Sequence, residues 1–141
     1  MTEIKQLTEN KLDDFLILLE EINEKPFEAG TKSRSKEDFA RGRYTGFLLY
    51  EEEMLAGIAI VIDTYSAVHA KKVLNLDELY VQEQFRKKGF GKKLFDHVIE
   101  YAKKEGYMRI EWRAEKNNIA TQKLYAQYGA ATDWIFYALN L

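Results

Sequence analysis

The sequence predicts a mixed α/β fold, in which a mostly antiparallel central sheet carries one parallel crossover and is flanked by helices. Three observations point there: apolar runs of strand length fill the first half, two helical stripes with glycine stops fill the second, and a strand pattern stands between those stripes. With 141 residues, 46% apolar and 13% aromatic, the chain can bury one core, so residues 1–141 read as a single domain.

The elements follow in order. Ile4 to Leu7 reads as a short strand, after which Thr8 or Asn10 caps a helix whose Leu12, Phe15, Leu16, Leu19 and Ile22 recur at helical spacing. Pro26 ends that pattern. Glu28 to Ser35 is polar and reads as a mobile, substrate-facing loop, and Ser35 and Asp38 then start a short helix as a capping box. Phe47 to Tyr50 and Leu55 to Ile62 make an antiparallel hairpin with Glu51, Glu52 and Glu53 at its solvated tip. Gly57, inside the second of these strands, marks a bulge or the close approach of another backbone.

A loop over Asp63 to Lys72 leads into the strand Val73 to Val81. Leu94, Phe95, Val98, Ile99 and Ala102 form a helical stripe that Gly106 stops. Met108, Ile110, Trp112 and Ala114 alternate with Arg109, Glu111 and Arg113 as in a half-buried strand. Strand, helix and strand in that order make a right-handed parallel crossover. Asn118 opens a further helix to Tyr128 with Gly129 as its stop, and Trp134 to Leu141 is a terminal strand.

Composition narrows the function. With 21 basic and 23 acidic residues the net charge is -2, so no global field attracts nucleic acid and any positive patch is local. The absence of Cys removes disulfides, thiolate nucleophiles and cysteine-ligated zinc, and it fits a reducing compartment. The only histidines, His69 and His97, have no second nitrogen ligand at useful spacing, so no metal is expected and His97 is given no role. The start MTEIKQLTEN lacks the pattern of a signal peptide and no apolar run reaches membrane length, which makes cytoplasmic the expected location and a membrane partner unexpected.

The chemistry concentrates between Asp77 and Phe95. Arg86, Lys87, Lys88, Lys92 and Lys93 place five cations in eight residues, and Gly89 and Gly91 let backbone amides converge ahead of a helix whose dipole favours an anion. A polyphosphate suits that turn, although a solvated basic turn has the same composition. A dinucleotide fingerprint would need a third glycine where Leu94 stands, and a P-loop would need a hydroxyl after Gly91-Lys92.

This loop, Arg86-Lys87-Lys88-Gly89-Phe90-Gly91, resembles the acetyl-CoA loop of the GNAT family of N-acetyltransferases, whose pattern is Arg/Gln-x-x-Gly-x-Gly/Ala. The likeness extends to Leu76-Asp77-Glu78-Leu79-Tyr80-Val81 before it, and to Asn118 and Leu124-Tyr125-Ala126-Gln127-Tyr128-Gly129-Ala130 after it. It implies the GNAT fold, acetyl-CoA as co-substrate and direct acyl transfer. The amides of Arg86, Lys87, Lys88, Gly89, Phe90, Gly91 and Lys92 would take the pyrophosphate, and the strand at Leu79, Tyr80 and Val81 would pair with the pantetheine arm. Leu79 and Val81 are otherwise plain core residues. Asn118 would contact CoA or cap its helix, and Tyr125 would protonate the departing thiolate or pack as a core tyrosine.

An amine acceptor must lose a proton before attack, which calls for a base. Asp77 and Glu78 are adjacent and leave a regular strand on opposite faces, so one of them points at the acceptor unless a kink at a bulge brings both close. The segment looks most like the polyamine and diamine branch of the family, with the two carboxylates in the order Asp-Glu instead of Glu-Asp. Asp77 holds that branch's base position, whereas Glu78 has the longer reach. No serine nucleophile motif is present, consistent with transfer in a ternary complex. The expected acceptor is a small cationic primary amine such as a diamine or polyamine. A protein or peptide amine, or a non-catalytic acyl-CoA-binding module, are the alternatives. Trp112 and Trp134 are core or interface aromatics of a possible homodimer.

Overall fold

The computed structural model describes every residue from Met1 to Leu141. Strands β1 (Thr2–Gln6), β2 (Thr45–Glu51), β3 (Met54–Ser66), β4 (Lys71–Val81) and β5 (Ile110–Trp112) form one sheet in chain order. The first four pair antiparallel and β5 runs parallel to β4, as the crossover through α3 (Phe90–Lys104) requires. The mixed α/β fold expected from the sequence is the one observed.

Helices cover both faces. Leu94, Phe95, Val98 and Ala102 of α3 bury against Phe47, Leu49, Val61, Leu74 and Leu76, while Leu12, Phe15 and Leu18 of α1 (Leu12–Asn23) bury against Leu48, Ile58 and Ile60. Adjacent residues Phe47/Leu48 and Ile60/Val61 feed opposite cores, which is why these runs are apolar throughout. α2 (Thr31–Ala40) lies on the α1 side with no buried residue, adding Phe39 to the rim of that cluster.

Several local expectations are corrected. Neither Thr8 nor Asn10 caps α1; their side chains bond each other, a 3-10 turn over Glu9–Lys11 leads in, and Asp13 and Asp14 favour the helix start electrostatically. The loop predicted over Glu28 to Ser35 is helical from Thr31. Gly30 turns left-handed (φ 86°) and accepts the first helical bond from Arg34 N–H, and Lys32, Arg34, Lys36, Glu37 and Ala40 within the segment favour a helix. No capping box forms at Ser35, whose hydroxyl bonds Tyr44 instead (2.9 Å).

The loop predicted over Asp63 to Lys72 is mostly strand, because the antiparallel ladder continues through Thr64↔Val73 to Ser66↔Lys71 whatever the polarity of the side chains. The Glu51–Glu53 tip is a tighter turn than expected: Glu51 pairs with Met54, and Glu52 and Glu53 alone turn the chain at φ 48° and 70°.

β5 is shorter than the alternation from Met108 to Ala114 suggested, and α4 (Ile119–Tyr125) stops before Tyr128. Trp134 to Leu141 forms no strand, since a three-residue β5 offers too short an edge to recruit it. Trp134 is 86% exposed and is therefore no core residue, whereas Trp112 packs edge-on to Phe95 at 5.0 Å.

Candidate active site

β4 pairs with β3 along its length but with β5 only at Leu74, Asn75 and Leu76. Beyond Leu76 the two parallel strands part, and the outer edge of β4 from Asp77 to Val81 has no strand partner. Apart from the Val81 carbonyl, which accepts from Arg86 Nε, the outward backbone groups of this edge can pair with an extended ligand. Gly57 permits the geometry from the other side: a Cβ there would stand 2.8 Å from the Tyr80 carbonyl oxygen. Both readings of this region hold, because β3 also bulges at Ala56, which the register skips between Leu49↔Gly57 and Tyr50↔Leu55.

The open edge runs into a cleft of ≈ 390 Å³ lined by Leu79, Val81, the basic loop and α4. Lys87 (φ 64°) and Gly89 (φ 79°) are both left-handed, the kind of backbone turn from which anion-binding concavities are built. The N–H groups of Lys87, Lys88 and Gly89 donate to no protein group, and those in the first turn of α3 have no carbonyl one turn earlier. Arg86 differs, since its amide is committed to the Glu83 carbonyl (3.2 Å) and its Nε to the Val81 carbonyl (2.9 Å). A ring of free amides, flanking cations and an open apolar edge fits an acyl-CoA, whose phosphates and extended arm need those partners.

Of the residues singled out from the sequence, Leu79, Val81, Arg86, Lys87, Gly89, Phe90, Gly91, Lys92 and Tyr125 line this cleft. Three do not. Tyr80 turns to the α1 face, where its hydroxyl donates to Glu21 (3.2 Å) with the Arg86 guanidinium over its ring. Lys88 reaches away to Glu51 (2.9 Å). Asn118 caps α4 by accepting from Thr121 N–H (3.1 Å), the plainer of its two readings. Four further lining residues, Phe85, Ala120, Thr121 and Leu124, were missed. The i, i+4 spacing of Ala120 with Leu124 and of Thr121 with Tyr125 was the signal that could have found the α4 members.

The carboxylates stand at the fork where β4 and β5 part. Of the two expected arrangements, one carboxylate on each face or both brought close by a kink at a bulge, the strand register follows the second. β4 pairs Leu76 with Val61 and Glu78 with Ile60, so Asp77 has no partner and the strand bulges there. Leu76 and Leu79 consequently both pack on the α3-side cluster, three residues apart, and Asp77 and Glu78 share the opposite side. Asp77 is exposed and Glu78 half-buried. Burial raises the Glu78 carboxyl above its ordinary value, the Asp77 charge raises it further, and Arg113, one residue past the last β5 pair, opposes both. Burial likewise raises the Tyr125 phenol, with the Glu78 charge adding to it. Glu78 and Tyr125 thus share one electrostatic environment across the fork.

Comparison with known proteins agrees with this geometry. The acetyltransferase (GNAT) family profile matches residues 12–130. L-Ornithine N5-acetyltransferase of Arabidopsis thaliana is 32% identical over 77 residues, 55% of this chain, and the chain spans only 34% of that relative's length. Thialysine N-epsilon-acetyltransferase of Caenorhabditis elegans is 26% identical over 125 residues, covering 84% of this chain and 78% of its own. In fold, the crystal structure of ribosomal-protein-alanine N-acetyltransferase from Brucella melitensis biovar Abortus superposes with a TM-score of 0.83 over the whole of both chains at 22% identity. With that profile match over the basic loop, the fork and α4, the chain belongs to the acetyltransferase (GNAT) family.

Proposed function

We propose that this protein transfers the acetyl group of acetyl-CoA directly to a small primary amine. One observation carries the reading: a single open strand edge links two carboxylates on one face to a ring of free amides, with Tyr125 across the gap. Acetyl-CoA supplies an activated thioester. The amides of Lys87 to Gly89 and the first turn of α3 hold its phosphates, and Leu79, Val81, Phe85 and Leu124 give its arm an apolar wall. Glu78 takes the proton of the acceptor amine, which in solution is mostly charged with a pKa of about 10.4. Asp77 binds the cationic remainder of the acceptor, and the Tyr125 hydroxyl supplies a proton to the departing sulfur. A backbone N–H of the open edge stabilises charge developing on the acyl oxygen.

Paired carboxylates on one face favour a diamine or polyamine. A second reading has support of its own: Arg113 stands at the fork without an ion-pair partner, suited to a substrate carboxylate, and two relatives are named for amino-acid acceptors. Thiol release from acetyl-CoA over cadaverine, lysine, spermidine and a lysine peptide tests these together. Turnover of cadaverine above lysine supports the diamine reading, and the reverse supports the amino-acid one. Turnover of the peptide alone replaces both, and CoA binding without any turnover defeats the enzymatic reading.

A further inference from the structure

α4 is seven residues long and buries none of them fully, so it is too short to persist without tethers. It nevertheless carries Tyr125. Part of its anchorage is aromatic: Tyr125 packs on Phe95 (5.7 Å) and Trp112 (5.6 Å), and Tyr128, just beyond the helix, stacks on Phe95 at 4.4 Å. The rest is polar and centred on α3. The Tyr128 hydroxyl donates to Asp96 Oδ1 (2.8 Å), while Lys92 Nζ donates to Asp96 Oδ2 (3.1 Å) and to the Tyr128 hydroxyl (3.2 Å).

One carboxylate therefore does two things. It seats the turn that follows Tyr125, and it occupies a lysine that also lines the phosphate end of the cleft. We infer that Asp96 is a positioning residue, which holds the proton donor's helix against α3 through Tyr128 and keeps the Lys92 charge partly withheld from the cofactor phosphates. The inference rests on the proposed role of Tyr125 for its effect on turnover, but not for its effect on cofactor binding. Burial raises the Tyr128 phenol and the bond to Asp96 raises it further, so the hydroxyl stays protonated and remains a donor near neutral pH.

Because the two effects have opposite signs, the latch has a signature that simple loss of structure lacks. In Asp96→Asn, Lys92 is released toward phosphate while α4 loosens. CoA, measured by calorimetry, should bind about two- to fivefold tighter, the range expected for freeing an exposed ion-paired lysine. The kcat with acetyl-CoA should fall by about tenfold or more as Tyr125 loses its seat. Tyr128→Phe leaves the Lys92–Asp96 pair in place, so its kcat should fall while CoA affinity stays within about twofold of wild type. Parallel loss of kcat and CoA affinity in Asp96→Asn, or no change in either, overturns the inference. If that variant does not fold, an unaltered kcat in Tyr128→Phe overturns it equally. A wild-type protein that turns over no amine would sink the proposed reaction, yet the CoA affinity of Asp96→Asn would still decide whether Asp96 restrains Lys92.

Discussion

Asp77 and Glu78 leave β4 on the same side, because the register steps from Leu76↔Val61 to Glu78↔Ile60 and passes over Asp77. Burial first, and the neighbouring Asp77 charge second, lift Glu78 above the ordinary value of 4.5. If Glu78 is the base, the acid limb of kcat/KM lies above that value. Asp77→Asn removes a like charge, so Glu78 ionises more readily and the limb moves to lower pH. Arg113→Gln removes the opposing cation and moves it to higher pH. Glu78→Gln should lower kcat/KM by about 10²- to 10⁴-fold. Steady-state pH profiles check all three, and a larger loss in Asp77→Asn than in Glu78→Gln would transfer the role to Asp77.

Tyr125 has its phenol raised above 10.0 by burial first and by the Glu78 charge second, so it is fully protonated at neutral pH and fit to donate. Tyr125→Phe keeps the ring that packs on Phe95 and Trp112 and removes only the hydroxyl. The expected result is a loss of about a hundredfold in kcat with the KM for acetyl-CoA nearly unchanged, the pattern of an interaction that matters only as the sulfur leaves. Equal turnover in the variant would remove the hydroxyl from the mechanism.

The basic loop, the strand before it and the helix that carries Tyr125 were legible because each is written in consecutive residues: a glycine at the left-handed position 89, cations beside it, an apolar run upstream. What was not legible depends on pairing. That Asp77 and Glu78 share a face follows from one skipped register step against Ile60 and Val61, and nothing in the local alternation encodes it. The helical stretch from Thr31 was hidden by its polarity, because α2 buries no residue and so lacks an apolar stripe. Trp134 to Leu141 reads as a strand by composition, but a strand needs an edge, and a β5 of three residues does not provide one.

Gly57 pairs with Val81 at the lip of the cleft, and its missing side chain leaves room for the Tyr80 carbonyl. In Gly57→Ala the new methyl would meet that oxygen at 2.8 Å, with Leu94 at 3.2 Å and Val81 at 3.3 Å. Backbone cannot yield as a side-chain end can, so β4 must shift. A loss of about 1–3 kcal/mol is expected from the overpacking. Because the displaced segment is the edge proposed to pair with the cofactor arm, the KM for acetyl-CoA should rise as well. Urea denaturation and steady-state kinetics on one variant check both, and full stability at normal KM would show that β3 and β4 separate more easily than their packing implies.

His97 sits outside the site, half-buried on α3 with its ring edge-on to Phe47 at 4.8 Å. Burial lowers its pKa below the ordinary 6.5, meaning that the folded state disfavours the imidazolium. The linkage has one sign: between the unfolded value of 6.5 and the lower folded one, the unfolded chain binds more protons, so stability falls as pH falls. Above 6.5 the neutral ring costs nothing in either state. His97→Leu keeps an apolar group against Phe47 and abolishes the titration. Its unfolding free energy relative to wild type should therefore be level above pH 6.5 and climb as the pH drops below it. Urea unfolding of both proteins at pH 7.5 and about pH 5 measures this difference, and a difference independent of pH would mean that the imidazolium is accommodated beside Phe47 as readily as the neutral ring.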